Sequence, residues 1–273
     1  MAQRISPGPG LPSRPSILVA DGIPTNRLVV RSLLEKAGCR VDLAATGPDA
    51  LTALRSFAHD LVVLDLALPG LDALTVIRRL RSSPGFGRRV PVLAISASPT
   101  GADRRDCLAA GANACLTRPF RCSDLKTVVA RLLAGEECDG DGDGNGAPAE
   151  PTTDDGGDIE PVLDSHVLAR LGGDLGAETL NGVLVTFSRD MGIRLHRIAD
   201  AAASANLRAL VFESHAVSSC CLPLGARRLA QLCGTLESAA LNGDRDQALS
   251  LAWAIGSVGA DTLSALSGHA GTA

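Results

Sequence analysis

The chain has 273 residues, of which 45% are hydrophobic and 21% charged, and its formal net charge is −4 at pH 7. This length and apolar content suit two ordinary domains, each with its own core. The acidic balance and the scattered Lys and Arg residues argue against nucleic-acid binding. No apolar run approaches the roughly 18 to 20 residues that cross a bilayer, and residues 1–16 lack an apolar signal core. We therefore expect a cytoplasmic protein without direct membrane insertion.

The eight cysteines predict no disulfide framework, because the chain is too long for a small stapled scaffold. Most of them lie among Leu and Ala, as small core residues do, so we interpret them as reduced thiols. Cys220 and Cys221 are adjacent but lack a second ligand pair at zinc-site spacing, which argues against a metal held by cysteines.

Short apolar segments alternate with longer segments of helical period between residues 17 and 133, five of each. Strands are predicted at 17–20, 41–43, 61–64, 92–95 and 114–116, and helices at 27–36, 49–57, 73–81, 101–110 and 125–133. Strands this short and apolar, each separated by a helix, predict a parallel sheet covered on both faces. Ligands of such sheets bind at the carboxyl ends of the strands.

The segment 135–160 is rich in Gly, Asp, Glu, Pro and Thr, a composition typical of a linker. Within it, residues 139–150 fit the spacing of a calcium loop, with Asp139 at position 1, glycine at position 6 and Glu150 at position 12. The missing entering helix and Pro148 inside the loop favour a solvated linker over a weak Ca²⁺ site. Both interpretations stay open.

Only helical segments follow the linker, at 164–171, 178–203, 207–222, 226–241 and 245–266. Short breaks at 172–173, 223 and 242–243 favour antiparallel neighbours in a bundle. The predicted organisation is a disordered N terminus at 1–15, an α/β domain at 16–134, the linker at 135–160 and a four-helix bundle at 161–270.

Polar side chains follow four of the predicted strands: Asp21, Asp65, Ser96 and Arg118. In a parallel sheet these four side chains converge on one edge. Two neighbouring carboxylates repel each other unless a cation lies between them, which predicts an oxygen-preferring ion such as Mg²⁺. One carboxylate could then attack a phosphoryl donor while Ser96 and a cation bind the phosphoryl oxygens.

These motifs resemble the receiver (response-regulator) family over residues 16–134, through ILVADGIPTN, LVVLDLALPGLDAL, VLAISAS and GANACLTRPF in family order and spacing. The resemblance implies an α/β receiver with a flavodoxin-like five-stranded parallel sheet. It also implies that Asp65 is the phosphoacceptor, Asp21 a metal-site acid and Ser96 the switch hydroxyl. Ala67 would be a metal ligand through its main-chain carbonyl, so the implied metal ligands are Asp21, Asp65 and Ala67.

Three positions depart from the receiver pattern. Gly22 replaces the family's second acid, which predicts weakened Mg²⁺ binding. Arg118 replaces a lysine, which keeps the charge but substitutes a planar fork for a compact ammonium, and Cys115 replaces the aromatic switch residue. The alternative for Asp65 and Asp21 is a turn cap or helix N-cap, and for Ser96 and Arg118 an ordinary hydroxyl and a surface charge.

The predicted helix 207–222 carries one histidine beside its apolar stripe. At the 3.6-residue period the stripe contains Leu207, Leu210, Val211, Ser214, Val217, Ser218 and Cys221. His215 lies on a flank, with Phe212 one turn before it and Ser219 one turn after it. A neutral imidazole near pH 7 is a competent acceptor of a phosphoryl group.

The segment SHAVSSCCLPLGARRLAQLCGTLESAALNGD resembles the histidine-phosphotransfer (HPt) family, and the general plan extends over residues 163–266. The resemblance implies an all-α HPt-like helical bundle in which His215 is the phosphohistidine. Ser218 replaces the family's lysine, and Ser219 replaces the glycine that clears room for a docking receiver. The alternative is a bundle histidine without chemistry.

Receiver and HPt domains in this order resemble the C-terminal part of hybrid sensor kinases. The leading hypothesis is a cytoplasmic two-component phosphorelay protein, not an enzyme in its own right, that accepts a phosphoryl group on Asp65 and exchanges it through His215 with a receiver in cis or in trans. Its expected partners are a histidine kinase and a response-regulator receiver. The alternative is a degenerate scaffold that regulates a partner by binding, without phosphorylation of the receiver.

Overall fold

The computed structural model describes residues 14–83, 88–96, 101–118, 120–136 and 162–270. The chain divides into two compact units, one before and one after residue 153. Most of the predicted disordered N terminus and linker, and the whole calcium-loop alternative at 139–150, lie outside the described residues.

The first unit alternates strands and helices, as the apolar pattern predicts. Its elements are β1 (Ser16–Ala20), α1 (Pro24–Lys36), β2 (Arg40–Ala44), α2 (Gly47–Ser56), β3 (Leu61–Asp65), α3 (Ala73–Ser82), β4 (Val92–Ser96), α4 (Gly101–Ala110), β5 (Ala114–Thr117) and α5 (Cys122–Leu133). Side-chain caps set the starts of two helices, since Thr46 accepts a hydrogen bond from the Asp49 N–H and Asp72 accepts one from the Thr75 N–H.

The five strands form one parallel sheet in the order β2-β1-β3-β4-β5, which confirms the predicted flavodoxin-like sheet. Strands β3 and β4 are buried along their whole length. Burial on both faces explains why these strands are continuous apolar runs without alternation. The register aligns Asp65 with Ile95 and Ser96 with Thr117, so the polar strand ends lie at the same edge.

The second unit is helical in all its described residues. It contains α6 (Ser165–Leu175), α7 (Ala177–Ala203), α8 (Leu207–Cys221), a 3-10 turn (Leu222–Leu224), α9 (Arg227–Leu241) and α10 (Arg245–Ala270). The predicted break at residues 172–173 is wrong, because α6 continues through both glycines to Leu175 and is capped by Gly176, whose φ is 81°. Gly225 at φ 76° turns the chain between the 3-10 turn and α9.

Helix α10 packs against α7 and α9. By length and composition alone, Arg245–Gly268 is also long and apolar enough to cross a membrane. The sequence expectation that no segment reaches this limit was therefore wrong by that criterion. A third of its apolar window is buried inside the structure.

Seven cysteines lie among the described residues, and none of these seven forms a disulfide there. Burial raises the pKa of Cys39 to about 11. Burial and the neighbouring thiols also raise the pKa of Cys221 well above its usual value. Such thiols remain protonated at neutral pH and behave as small core residues.

Candidate functional site

The four polar residues predicted at the strand ends of the first unit do converge. Asp65 ends β3, Ser96 ends β4, and Asp21 and Arg118 directly follow β1 and β5. All four are buried, with between 2% and 5% of each residue exposed. Arg118 is therefore not the surface charge of its alternative interpretation.

Arg118 joins the two carboxylates. Its Nη2 donates to Asp21 Oδ2 at 2.6 Å, and its Nη1 donates to Asp65 Oδ1 at 2.7 Å. The three side chains are only 3% to 4% exposed. Charge-assisted bonds of this length in a buried site are strong, so the guanidinium holds the two aspartates together as a unit.

Both carboxylate oxygens of Asp21 accept hydrogen bonds. Oδ1 accepts a hydrogen bond from the Ile23 N–H at 2.7 Å, while Oδ2 is the oxygen that binds Arg118. The Arg27 guanidinium also donates to the main-chain carbonyl of Asp21. These contacts fix both the side chain and the backbone at the end of β1.

Burial alone would lower the pKa of Arg118, but the charges of Asp65 and Asp21 and their hydrogen bonds outweigh that effect and raise it. Arg118 therefore carries its positive charge at any physiological pH. Two carboxylates and one guanidinium leave this cluster with one net negative charge if both acids are ionised.

A divalent cation between these acids does not fit the observed arrangement. Mg²⁺ requires oxygen ligands at about 2.0–2.1 Å in near-octahedral geometry, whereas the Arg118 nitrogens fill the space between Asp21 and Asp65. Gly22 adds no carboxylate of its own. The ligand set of Asp21, Asp65 and Ala67 thus remains a prediction that this conformation does not support.

The predicted acceptor histidine lies on α8 of the second unit. His215 is 32% exposed, and its Nδ1 lies 3.1 and 3.3 Å from the two carboxylate oxygens of Glu237 on α9. Because an ionised carboxylate only accepts hydrogen bonds, Nδ1 is the protonated nitrogen and Nε2 carries the ring's lone pair. The α8–α9 pairing therefore selects a tautomer.

Family models match both units. The response regulator receiver domain matches residues 17–130, and the Hpt domain matches residues 182–269. The chain consists of a receiver domain followed by an Hpt domain. This is the arrangement of a phosphorelay protein.

Curated sensor and regulatory proteins are similar to parts of this chain. The Escherichia coli aerobic respiration control sensor protein ArcB is 25% identical over 223 residues, which cover 82% of this chain and 28% of ArcB. The Xanthomonas campestris sensory/regulatory protein RpfC is 34% identical over 156 residues, which cover 57% of this chain and 20% of RpfC. This chain therefore spans between a fifth and just over a quarter of these relatives.

Among solved structures, the receiver domain of the Pseudomonas aeruginosa sensor histidine kinase PA1611 is 32% identical. The match covers 45% of this chain and 99% of that chain, with a TM-score of 0.42. That receiver was solved with a magnesium ion coordinated in its active-site cleft.

Two features of the Hpt domain differ from the helical-wheel prediction for α8. Ser219, which the wheel places on the flank with His215, is buried with 2% exposed. Glu213, which the apolar stripe omitted, is 6% exposed and accepts hydrogen bonds from Arg194 at 2.9 Å and Arg197 at 3.3 Å. Sequence analysis places a charged residue such as Glu213 on the solvent side of a helix, because its partners on another helix cannot be identified from the sequence.

Glu237 is the residue near His215 that the sequence analysis did not single out. It lies 22 positions after His215, within the segment that resembles the HPt family. An acidic residue on the next helix was the available signal, but the helical phase of α9 relative to α8 is set only by their packing.

Proposed function

We propose that the Hpt domain exchanges phosphoryl groups through His215 and that the receiver domain accepts them on Asp65. The observation that carries the proposal is the contact between His215 Nδ1 and Glu237, because it presents the ring in the tautomer that makes Nε2 the nucleophile. Partial exposure of His215 allows a receiver to reach the ring.

In the proposed transfer, the Nε2 lone pair attacks the phosphorus of an aspartyl phosphate, and the bond between phosphorus and the aspartate oxygen breaks. The aspartate leaves as a carboxylate, and the ring gains positive charge. Glu237 stabilises that charge through the Nδ1–H hydrogen bond. The reverse transfer returns the phosphoryl group to an aspartate without any other reactant.

The original phosphoryl donor in this proposal is a histidine kinase, and the exchange partner of His215 is a receiver, in this chain or in another protein. We place these reactions in the cytoplasm. The PA1611 receiver holds magnesium, whereas in this receiver the Arg118 guanidinium lies between Asp21 and Asp65.

One observation favours a second candidate, in which the receiver works by binding while His215 remains active. Asp65 Oδ1 is already held by Arg118 in a buried ion pair. The ion pair withdraws electron density from the Asp65 carboxylate, which weakens it as a nucleophile and raises the barrier at this residue.

Labelling with a radioactive phosphoryl donor separates the two candidates. The full chain is incubated with acetyl phosphate, or with a histidine kinase and ATP, as wild type, Asp65→Asn and His215→Gln. Aspartyl phosphate is lost in base and phosphohistidine in acid, so the stability of the label identifies the residue. Loss of aspartyl phosphate in Asp65→Asn and of phosphohistidine in His215→Gln supports the relay. Label on His215 alone supports the second candidate, in which the receiver works by binding. No label on either residue would refute both.

The role of Glu237 has its own test. Replacement Glu237→Ala removes the acceptor for Nδ1–H, whereas Glu237→Gln keeps a carbonyl oxygen there. We expect ¹⁵N NMR of His215 to show the Nδ1–H tautomer in wild type and Glu237→Gln, and a mixture in Glu237→Ala. Unchanged tautomer populations in Glu237→Ala would contradict the assigned role, whatever the transfer rates are.

A further inference from the structure

The acidic cluster of the receiver domain already contains a cation that belongs to the chain. The Arg118 guanidinium contacts one oxygen of Asp21 and one of Asp65, and the three side chains are almost fully buried. Buried carboxylates are stable only when paired and hydrogen-bonded. The receiver site therefore satisfies its main electrostatic requirement without an ion from solution.

We propose that Arg118 is the resident counter-cation of this site and takes the place that a divalent cation would occupy between Asp21 and Asp65. The receiver domain is then organised without metal. Mg²⁺ enters only if the guanidinium swings away from both acids.

Geometry supports this assignment. The two donor nitrogens of one guanidinium are held in a rigid plane, which lets a single residue bridge two carboxylates at 2.6 and 2.7 Å. A lysine ammonium is a point charge on a flexible stem and has no such fork. The substitution at position 118 therefore changes what the cation can do, although the charge is the same.

The surroundings of Asp21 oppose an ion as well. Its second oxygen accepts the Ile23 N–H, so the carboxylate is oriented by the backbone. A Cβ added to Gly22 would lie 2.7 and 2.9 Å from the Pro69 ring carbons. A second acid at position 22 would thus require the Pro69 ring, in the loop after β3, to move.

Charge also limits the ion. The two ionised acids and Arg118 sum to one negative charge, whereas three acids and the lysine of the usual receiver pattern sum to two. Binding of Mg²⁺ without loss of Arg118 contacts would place three positive charges against two. Repulsion between the ion and the guanidinium in a buried site is large, so one of them is excluded.

The test measures metal binding and stability of the full chain without any phosphoryl donor, so it is independent of whether Asp65 or His215 is ever phosphorylated. Wild type is compared with Arg118→Ala, with the double variant Asp21→Asn/Arg118→Ala, and with Arg55→Ala. Arg55 is exposed on α2 and controls for the loss of one positive charge.

We expect the melting midpoint of the wild-type receiver and of Arg55→Ala to shift by less than about 1 °C between EDTA and 10 mM Mg²⁺. Arg118→Ala should melt lower in EDTA, and its melting midpoint should rise by about 5 °C in Mg²⁺, because the ion then neutralises the two buried carboxylates that have lost Arg118. The double variant should lose that rise. An equal Mg²⁺ response in wild type and Arg118→Ala, or none in Arg118→Ala, would overturn the assignment.

Mn²⁺ titration of wild type, followed by paramagnetic broadening in NMR spectra, tests whether a divalent ion binds at Asp21 and Asp65 even if Arg118→Ala fails to fold. Broadening that is weak and non-saturating around Asp65 up to about 1 mM Mn²⁺ supports the proposal. Saturable broadening centred on Asp21 and Asp65 would show that an ion displaces Arg118 readily, and the proposal would fail.

Discussion

Glu213 carries a buried negative charge on the same helix as His215, two residues before it. It accepts hydrogen bonds from Arg194 Nη1 at 2.9 Å and from Arg197 Nη1 at 3.3 Å. The Glu213 and Arg194 side chains are each 9% exposed, whereas Arg197 is 57% exposed. Replacement Glu213→Ala would leave the Arg194 guanidinium buried beside a cavity.

The expected cost follows from these exposures. Removal of one partner from a buried ion pair typically costs about 3–5 kcal/mol. Arg194 keeps its second contact, to Asp190 Oδ2 at 2.9 Å, so we expect a loss of about 2–3 kcal/mol for Glu213→Ala. The exposed contact to Arg197 adds less than about 1 kcal/mol.

Urea denaturation of the full chain measures this loss. Trp253, the one tryptophan, lies in α10 but is 73% exposed, so its emission changes little on unfolding. Far-UV circular dichroism reports both domains. The variants needed are Glu213→Ala, Arg194→Ala and the double variant, with Arg197→Ala as the exposed control at less than about 0.5 kcal/mol.

The double-mutant cycle gives the decisive number. Contacts between buried charged groups should yield a coupling free energy of about 1.5–3 kcal/mol. A loss below about 1 kcal/mol in Glu213→Ala, or single-variant losses that add without coupling, would refute the importance of this pair. Burial lowers the pKa of Arg194, but Asp190 and Glu213 outweigh it and raise the pKa. The contribution of its charge is therefore lost only at strongly alkaline pH, and the coupling should be constant from pH 7 to 10.

Three further outcomes are expected. Burial raises the pKa of Cys39 to about 11, so the stability that this thiol contributes is complete below the ordinary thiol pKa and is lost as pH rises toward 11. The free energy of unfolding of Cys39→Ala should therefore fall less than that of wild type between about pH 8.5 and 10.5. Equal slopes would contradict the prediction. Phe187→Ala removes a fully buried ring from the bundle and should cost about 3–5 kcal/mol in urea denaturation; a loss under about 1 kcal/mol would indicate a collapsible site. Iodoacetamide at pH 8 should modify half-buried Cys122 faster than buried Cys107, as mapped by mass spectrometry, and equal rates would indicate that the receiver opens locally.

The sequence predicted the order of elements in both domains closely. Apolar runs of four or five residues bounded by Gly, Pro or polar groups identify buried parallel strands, and the 3.6-residue period identifies the helices. The break at 172–173 failed because glycine only weakens a helix, by about 1 kcal/mol against alanine, and α6 packs against α7 across that point.

The strand pattern also predicted which residues meet at the receiver site. Asp21, Asp65, Ser96 and Arg118 follow strands that run in one direction, and a parallel sheet places all four at one edge regardless of details. The sequence could not indicate that Arg118 contacts both acids, because the position of a long side chain depends on neighbours from three strands.

For Arg118, the sequence determined its place at the end of β5, and the tertiary structure decided which groups it contacts. Local pattern and strand polarity determined the fold of each domain, the place of Asp65 and the exposed flank of His215. Packing between elements far apart in the chain decided that Arg118 bridges Asp21 and Asp65, and that Glu237 fixes the His215 tautomer. Hydrogen bonds depend on distances of a few tenths of an ångström, whereas periodicity fixes only which face of an element a residue occupies.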